Sequence, residues 1–129
     1  MITKRATVCT EPEDPCFGLA RMPNPGIQIV EHVLTVEGYA CPVSKEPSSF
    51  TIRLRYRPRA HVLEVVSLRA WVQWVYDGGP EDAPDGAESL VLFLASHAAE
   101  WVGATVSYDA SFSLRSGILN LSGVQCGST

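Results

Sequence analysis

The residues best suited to chemistry lie in the stretch Tyr39-Ala40-Cys41-Pro42-Val43-Ser44-Lys45-Glu46-Pro47-Ser48-Ser49-Phe50. Cys41 stands directly before a proline, after one alternating apolar stretch and shortly before the next, so its thiol belongs to a loop between two extended segments. A thiolate held there can act as a nucleophile when neighbours activate it, and the alternative is a small thiol used only in packing. A second group is Arg53, Arg55 and Arg57, which alternate with apolar residues and so share one face of an extended segment. They are either solvated edge charges, or they line an interior surface or receive an anion. Arg115 can likewise touch a phosphate or carboxylate, or simply cap a hairpin. Cys9, Cys16 and Cys126 form no Cys-x-x-Cys pair, so free thiols and no metal are expected.

These residues must be positioned by a small chain. At 129 residues it is long enough for one domain with a modest core. Lys and Arg number 10 against 14 Asp and Glu, a net charge of -4. That balance argues against holding nucleic acid through the overall field, although a local basic strip is compatible with it. No apolar run approaches the roughly 18 residues needed to span a bilayer, and the first residues lack the charged-then-apolar layout of a signal peptide. A cytoplasmic protein is expected.

Residues 1–26 are rich in Pro, Glu and Asp, with Pro12, Pro15, Pro23 and Pro25 breaking regular structure, and read as an irregular arm ahead of a single domain over 27–129. From Ile29 to Ala40, Val30, His32, Leu34 and Val36 fall on one side of a strand. Phe50, Ile52, Leu54 and Tyr56 mark the next strand. The period then changes: Leu63, Val66, Ala70 and Trp74, with Trp71 and Val75 beside them, predict a helix from Leu63 to Tyr76 that stops at Asp77-Gly78-Gly79-Pro80. A second helix is expected from Asp85, with Glu88 three residues on as a capping box, through Leu90, Leu94, Ala98 and Trp101 to Gly103. His97 falls among its apolar positions and reads as a core or interface histidine. Val106, Tyr108, Ala110, Phe112 and Leu114 form a third strand, and after the turn Arg115-Ser116-Gly117 a fourth carries Leu119 and Leu121. The order strand-strand-helix-helix-strand-strand predicts an α+β unit, an antiparallel sheet with both helices on one face, a polar second face and open edges.

Read from Cys41, the chain gives Cys-Pro-Val-Ser-Lys, Ser49-Phe50, Tyr56-Arg57-Pro58-Arg59, Val62-Leu63-Glu64 and Ser67-Leu68-Arg69. That series resembles the QueF family, enzymes of 7-deazaguanine metabolism that act on the nitrile of 7-cyano-7-deazaguanine. Leu114-Arg115-Ser116-Gly117 is similar to the family's Pro-Arg-Gly-Gly turn, and Asn24-Pro25 and the strand from Leu34 to Glu37 also match. The resemblance implies the tunnelling fold, in which several copies join edge to edge into a barrel with helices outside and sites at the subunit junctions. It implies Cys41 as a nucleophile forming a covalent thioimidate, Glu64 and Ser67 beside the substrate, and Arg69 and Arg115 toward a cofactor. A glutamate that grips the base edge is implied as well. Glu81 is nearer by spacing from Ser67, and Glu88 is better placed on the helix, which favours it slightly.

The chain departs from the family pattern in three places. Where the family has an aspartate seven residues beyond the cysteine, Ser48 stands here, and a hydroxyl can relay a proton but cannot supply one as a carboxylic acid would. Glu46, Ser49 and Asp109 are the candidates to replace it. In the family's Glu-Ser-Lys-Ser-Leu-Lys segment, associated with NADPH, the first lysine is Val66 and the second Arg69. The histidine of the family's His-Glu-Asp is Pro80. These departures favour a non-reductive, amidinotransferase-like reaction in which ammonia or water attacks the thioimidate without a cofactor. Two alternatives stay open: an NADPH-dependent reductase, and a protein that binds the deazaguanine without turnover. The substrate is the free base or a nucleic acid that carries it.

Overall fold

The computed structural model describes residues 7–8, 18–39, 47–77, 86–115 and 117–127. Its elements are β1 (Thr7–Val8), β2 (Ala20–Pro23), β3 (Val30–Tyr39), β4 (Pro47–Tyr56), β5 (His61–Leu63), α1 (Val65–Tyr76), α2 (Ala87–Val102), β6 (Val106–Leu114) and β7 (Gly117–Gln125). The expected α+β unit is present. β3, β4, β6 and β7 form an antiparallel sheet in that order, leaving β3 and β7 as its edges. No helix among the described residues is long and apolar enough to cross a membrane.

Strict alternation builds the core. Leu34 and Val36 of β3, Phe50, Ile52, Leu54 and Tyr56 of β4, and Val106, Ala110 and Phe112 of β6 are buried under both helices in one cluster. Phe50 and Phe112 are cross-strand partners and stack at 4.4 Å, and Tyr76 from the end of α1 stacks on Phe50 at 5.3 Å. Each buried ring contributes about 1.5–3 kcal/mol by leaving water, with about 0.5–1.5 kcal/mol more for well-placed ring pairs.

The face that α1 turns inward differs from the one the apolar pattern predicts. Leu68, Trp71, Val72, Val75 and Tyr76 are buried, while Val66 and Ala70 are exposed. Apolar residues occur on almost every side of this helix, so periodicity alone underdetermines its rotation. Leu63 belongs to β5, and the helix begins after Glu64, whose carboxylate accepts from the Val66 and Ser67 N–H groups as an N-cap. α2 also begins later than expected. Its N-cap is Gly86, at φ +95°, so Glu88 sits one residue too early for a capping box; Asp85 lies outside the described residues. The helix ends as expected at Gly103, left-handed at φ +68°, whose N–H bonds the Ala99 carbonyl.

Part of the segment expected as an irregular arm is ordered strand. β2 pairs with β1 and with β5 in a second, three-stranded sheet, and Leu19 and Ala20 are fully buried. Prolines obscured it: Pro23 ends β2, where a strand tolerates the missing donor. The junction is polar. The Ala20 N–H donates to Ser67 Oγ at 2.9 Å, Ser67 Oγ donates to the Glu64 carbonyl, and the Glu64 N–H returns to the Ala20 carbonyl. A similar junction ties β5 to the main sheet: the Leu63 N–H donates to the Tyr56 hydroxyl at 2.9 Å, and His32 Nε2 lies 3.0 Å from that same hydroxyl. Burial lowers the His32 pKa and pushes Tyr56 up to about 12, the latter partly offset by the Leu63 hydrogen bond.

Ser67→Ala removes the acceptor of the Ala20 N–H and leaves that donor buried. The expected loss is about 1–3 kcal/mol, read as a lower urea midpoint at unchanged slope. His32 gives a pH signature. Its folded pKa is depressed, so below the ordinary value of 6.5 the unfolded chain binds the extra proton first. Stability is then full above about pH 6.5 and falls as pH drops through the window below it, and His32→Gln, which cannot titrate, flattens this part of the melting-temperature profile.

Candidate functional site

Register across the main sheet shows which candidate residues share a neighbourhood. Tyr39 pairs with Pro47, Gly38 with Ser48, Ser48 with Leu114, and Leu114 with Gly117. One transverse row therefore joins the strand ends that flank the Cys41 segment to the turn that carries Arg115. α1 runs back along β3 until Gln73 donates to the Glu37 carbonyl and to the Asp77 carboxylate, each at 3.2 Å, so the helix also ends on this side. α2 ends beside β7's last residues, with Ser96 Oγ donating to Gln125 Oε1 at 3.2 Å, so its first turn points back toward the Arg115 end. The described ends that flank the β3–β4, α1–α2 and β6–β7 connections therefore lie toward one end of the sheet, the end nearer Phe50 and Phe112.

The expected site residues divide accordingly. Cys41, Glu46 and Glu81 lie outside the described residues. Ser48 has a described backbone position in the transverse row, Arg115 is exposed just beyond it, and Glu88 is exposed in the first turn of α2, where the helix dipole favours a carboxylate. Ser49 sits in register with Glu37 and Ser113 on the polar face at this same end. Asp109 does not: it pairs with Arg53, about 17 Å along β4 from Ser48, and its carboxylate lies 3.9 Å from the Arg53 guanidinium.

Glu64, Ser67 and Arg69 form a separate group on the first turns of α1. Glu64 caps the helix, and Ser67 is buried in the junction with β2. Arg69 is exposed on a shallow groove with Val33, Thr35, Val65, Val66 and Ala70, against the open edge of β3. Within one chain Glu64 stands the full length of α1 from the Asp77 end, and Arg69 about two turns from it. Val66 is 71% exposed, so the position where the resemblance places a lysine presents an apolar surface instead.

Two carboxylates at the Cys41 end escaped the sequence reading. Glu37 is brought opposite Ser49 by register, and Asp77 serves as the C-cap of α1. The signal for Glu37 was its place in the alternation just before the cysteine, where it read only as a solvent-facing strand residue. His97 behaves as expected: Nδ1 lies 2.9 Å from the Phe93 carbonyl, and the ring packs 4.3 Å from Phe93 and 6.3 Å from Trp71.

No family model matches this sequence, and no curated protein does. Among solved structures, the fold is similar to that of the apo form of the archaeosine synthase QueF-Like, with a TM-score of 0.57 and 19% identity over 81% of this chain and 99% of that one. At that identity the likeness is one of fold alone.

Proposed function

We propose that the chain is a QueF-like enzyme whose Cys41 attacks the nitrile of 7-cyano-7-deazaguanine, free or carried in a nucleic acid. The observation that carries this reading is the gathering, at one end of the sheet, of the strand ends flanking Cys41, the Ser48 position, the first turn of α2 with Glu88, and the turn with Arg115. Support also comes from the ordered motifs that begin at Cys41 and from the likeness in fold to the archaeosine synthase QueF-Like.

In this reading the Cys41 thiolate forms a bond to the nitrile carbon, the π electrons pass to nitrogen, and nitrogen takes a proton, giving the thioimidate. Ser48 relays that proton from water, with Glu37 the described carboxylate opposite its neighbour Ser49. Ammonia then adds to the same carbon, the thiolate leaves, and an amidine is released with Cys41 restored; water in place of ammonia gives the amide. Neither route needs a hydride, which agrees with an apolar, exposed Val66 where the resemblance places an NADPH-associated lysine. Glu88, or Glu81 in the preceding link, accepts from adjacent N–H groups of the base edge, a bidentate contact that selects rings bearing that donor pair. The residues of the first turns of α1 join this site from a second copy, across the open β3 edge.

Incubation with 7-cyano-7-deazaguanine and no cofactor is expected to add the mass of one ligand to the intact chain and none to Cys41→Ala. Ammonia then discharges the adduct as the amidine. Discharge only by NADPH would replace this assignment with the reductase, and tight binding without any adduct would replace it with a binding protein. Absence of both, with the free base and with an oligonucleotide carrying it, would end the family reading.

A further inference from the structure

β5 is three residues long, and among the described residues its one hydrogen bond to the main sheet runs from the Leu63 N–H to the Tyr56 hydroxyl, at 2.9 Å. His32 Nε2 lies 3.0 Å from the same hydroxyl, with the two rings 5.7 Å apart. Both side chains are buried. A phenol oxygen that accepts from a backbone N–H still carries its own proton, and His32 Nε2 is the acceptor for that proton among the described residues. The donors therefore run in one order, Leu63 N–H to the Tyr56 oxygen and Tyr56 O–H to His32 Nε2. That order assigns the neutral His32 ring the tautomer with its proton on Nδ1.

Protonation of the ring reverses one link of this chain. An imidazolium Nε2 carries a hydrogen and can only donate, so it would meet the Tyr56 O–H donor to donor. Tyr56 can accept from both His32 and Leu63 only by turning its own proton into buried space with no acceptor among the described residues; otherwise the Leu63 bond is given up. Either way the joint loses one buried hydrogen bond. The loss travels further, because β2 pairs with β5 and Ala20 of β2 bonds Ser67 in the first turn of α1.

The surrounding charges are engaged or face elsewhere. Glu31 on β3 and Arg53 and Arg55 on β4 are exposed on the opposite face of the sheet, and Arg69 on α1 is exposed beside the β3 edge. The Glu64 carboxylate accepts from the Val66 and Ser67 N–H groups, and Arg21 on β2 donates to the Trp101 carbonyl. His61 stands at the far end of β5, opposite Pro23. On α2, His97 bonds the Phe93 carbonyl, and Glu88 and Glu100 are exposed. Burial is the one cause that lowers the His32 pKa.

We propose that His32 is a proton-operated latch on the small sheet: neutral, it takes the Tyr56 proton and holds β5 to β4; protonated, it releases β5 and, through the β2–β5 ladder, loosens β2 from the first turn of α1. The latch is independent of Cys41. The surface that changes with it is the one that Val65, Val66 and Arg69 present beside the open β3 edge. Because the folded ring binds its proton less readily than an ordinary histidine, the latch is closed above pH 6.5 and opens as pH falls through the window below it.

The test is amide hydrogen exchange read by NMR on the full chain, on either side of pH 6.5 and corrected for the intrinsic pH dependence of exchange. Protection of the Leu63 and Ala20 amides is expected to fall by up to about tenfold per pH unit below that value, while Phe50 and Ile52 in the paired centre of β4 keep theirs. His32→Gln retains an acceptor for Tyr56 but cannot titrate, so Leu63 stays protected and the step vanishes. Tyr56→Phe leaves Leu63 weakly protected at every pH, again without a step. The nitrogen shifts of neutral His32 in the wild-type chain should show the proton on Nδ1. A proton on Nε2, a step of equal size in either variant, or a loss at Ile52 in proportion to that at Leu63 would each overturn the latch, the last by showing that the whole fold opens rather than the small sheet.

Discussion

Everything in this fold depends on the register of β4. It is paired on both sides, with β3 and β6, and its alternation sends Phe50, Ile52, Leu54 and Tyr56 under the helices and Arg53 and Arg55 to the other face. A slip of one residue would exchange the two sets and bury two guanidinium groups. The cost of that error is what makes one pairing decisively preferred. The same register fixes the transverse row through Gly38, Ser48, Leu114 and Gly117, and so decides which strand ends lie side by side there.

The two faces of the sheet do different work because of this. The apolar face supplies cohesion: the Phe50, Phe112 and Tyr76 rings stack there, with Phe50 two residues along β4 from Ser48. The polar face concentrates charge, with Arg53 beside Asp109 and Arg55 opposite Glu31 across the ladder.

Strands were legible in the sequence because period 2 is unambiguous when apolar residues alternate with arginine, serine and threonine, as in Phe50 to Tyr56 and Val106 to Leu114. The rotation of α1 was not, since Leu63, Val66 and Ala70 offered as good an apolar stripe as Leu68, Val72 and Tyr76. Ser67 settles the matter in three dimensions by turning inward to bond Ala20, a partner 47 residues away that no local pattern reveals. β2 was hidden for a similar reason: its strand identity comes from pairing with β5, not from its own four residues. Of the candidate site, the gathering of Ser48, Glu88 and Arg115 follows from element order, whereas Glu37 and Asp77 enter through register and helix capping, which are contacts rather than motifs. Glu64 and Ser67 stand apart from them for the same reason, held by the junction between the two sheets.

That junction also orders the assembly of the chain in time. β2 can meet β5 and Ser67 only by closing a loop that contains the whole β3–β4 hairpin, and loop closure is favourable once the intervening hairpin has already shortened the effective path between the loop's ends. The hairpin is the early, local structure and the small sheet the late, distant one. Asn24, whose side chain bonds its own turn at Gly26 and Ile27 and the Arg59 carbonyl 35 residues on, closes a shorter loop than Ser67 does with Ala20 across 47, so the same entropy argument charges less for it.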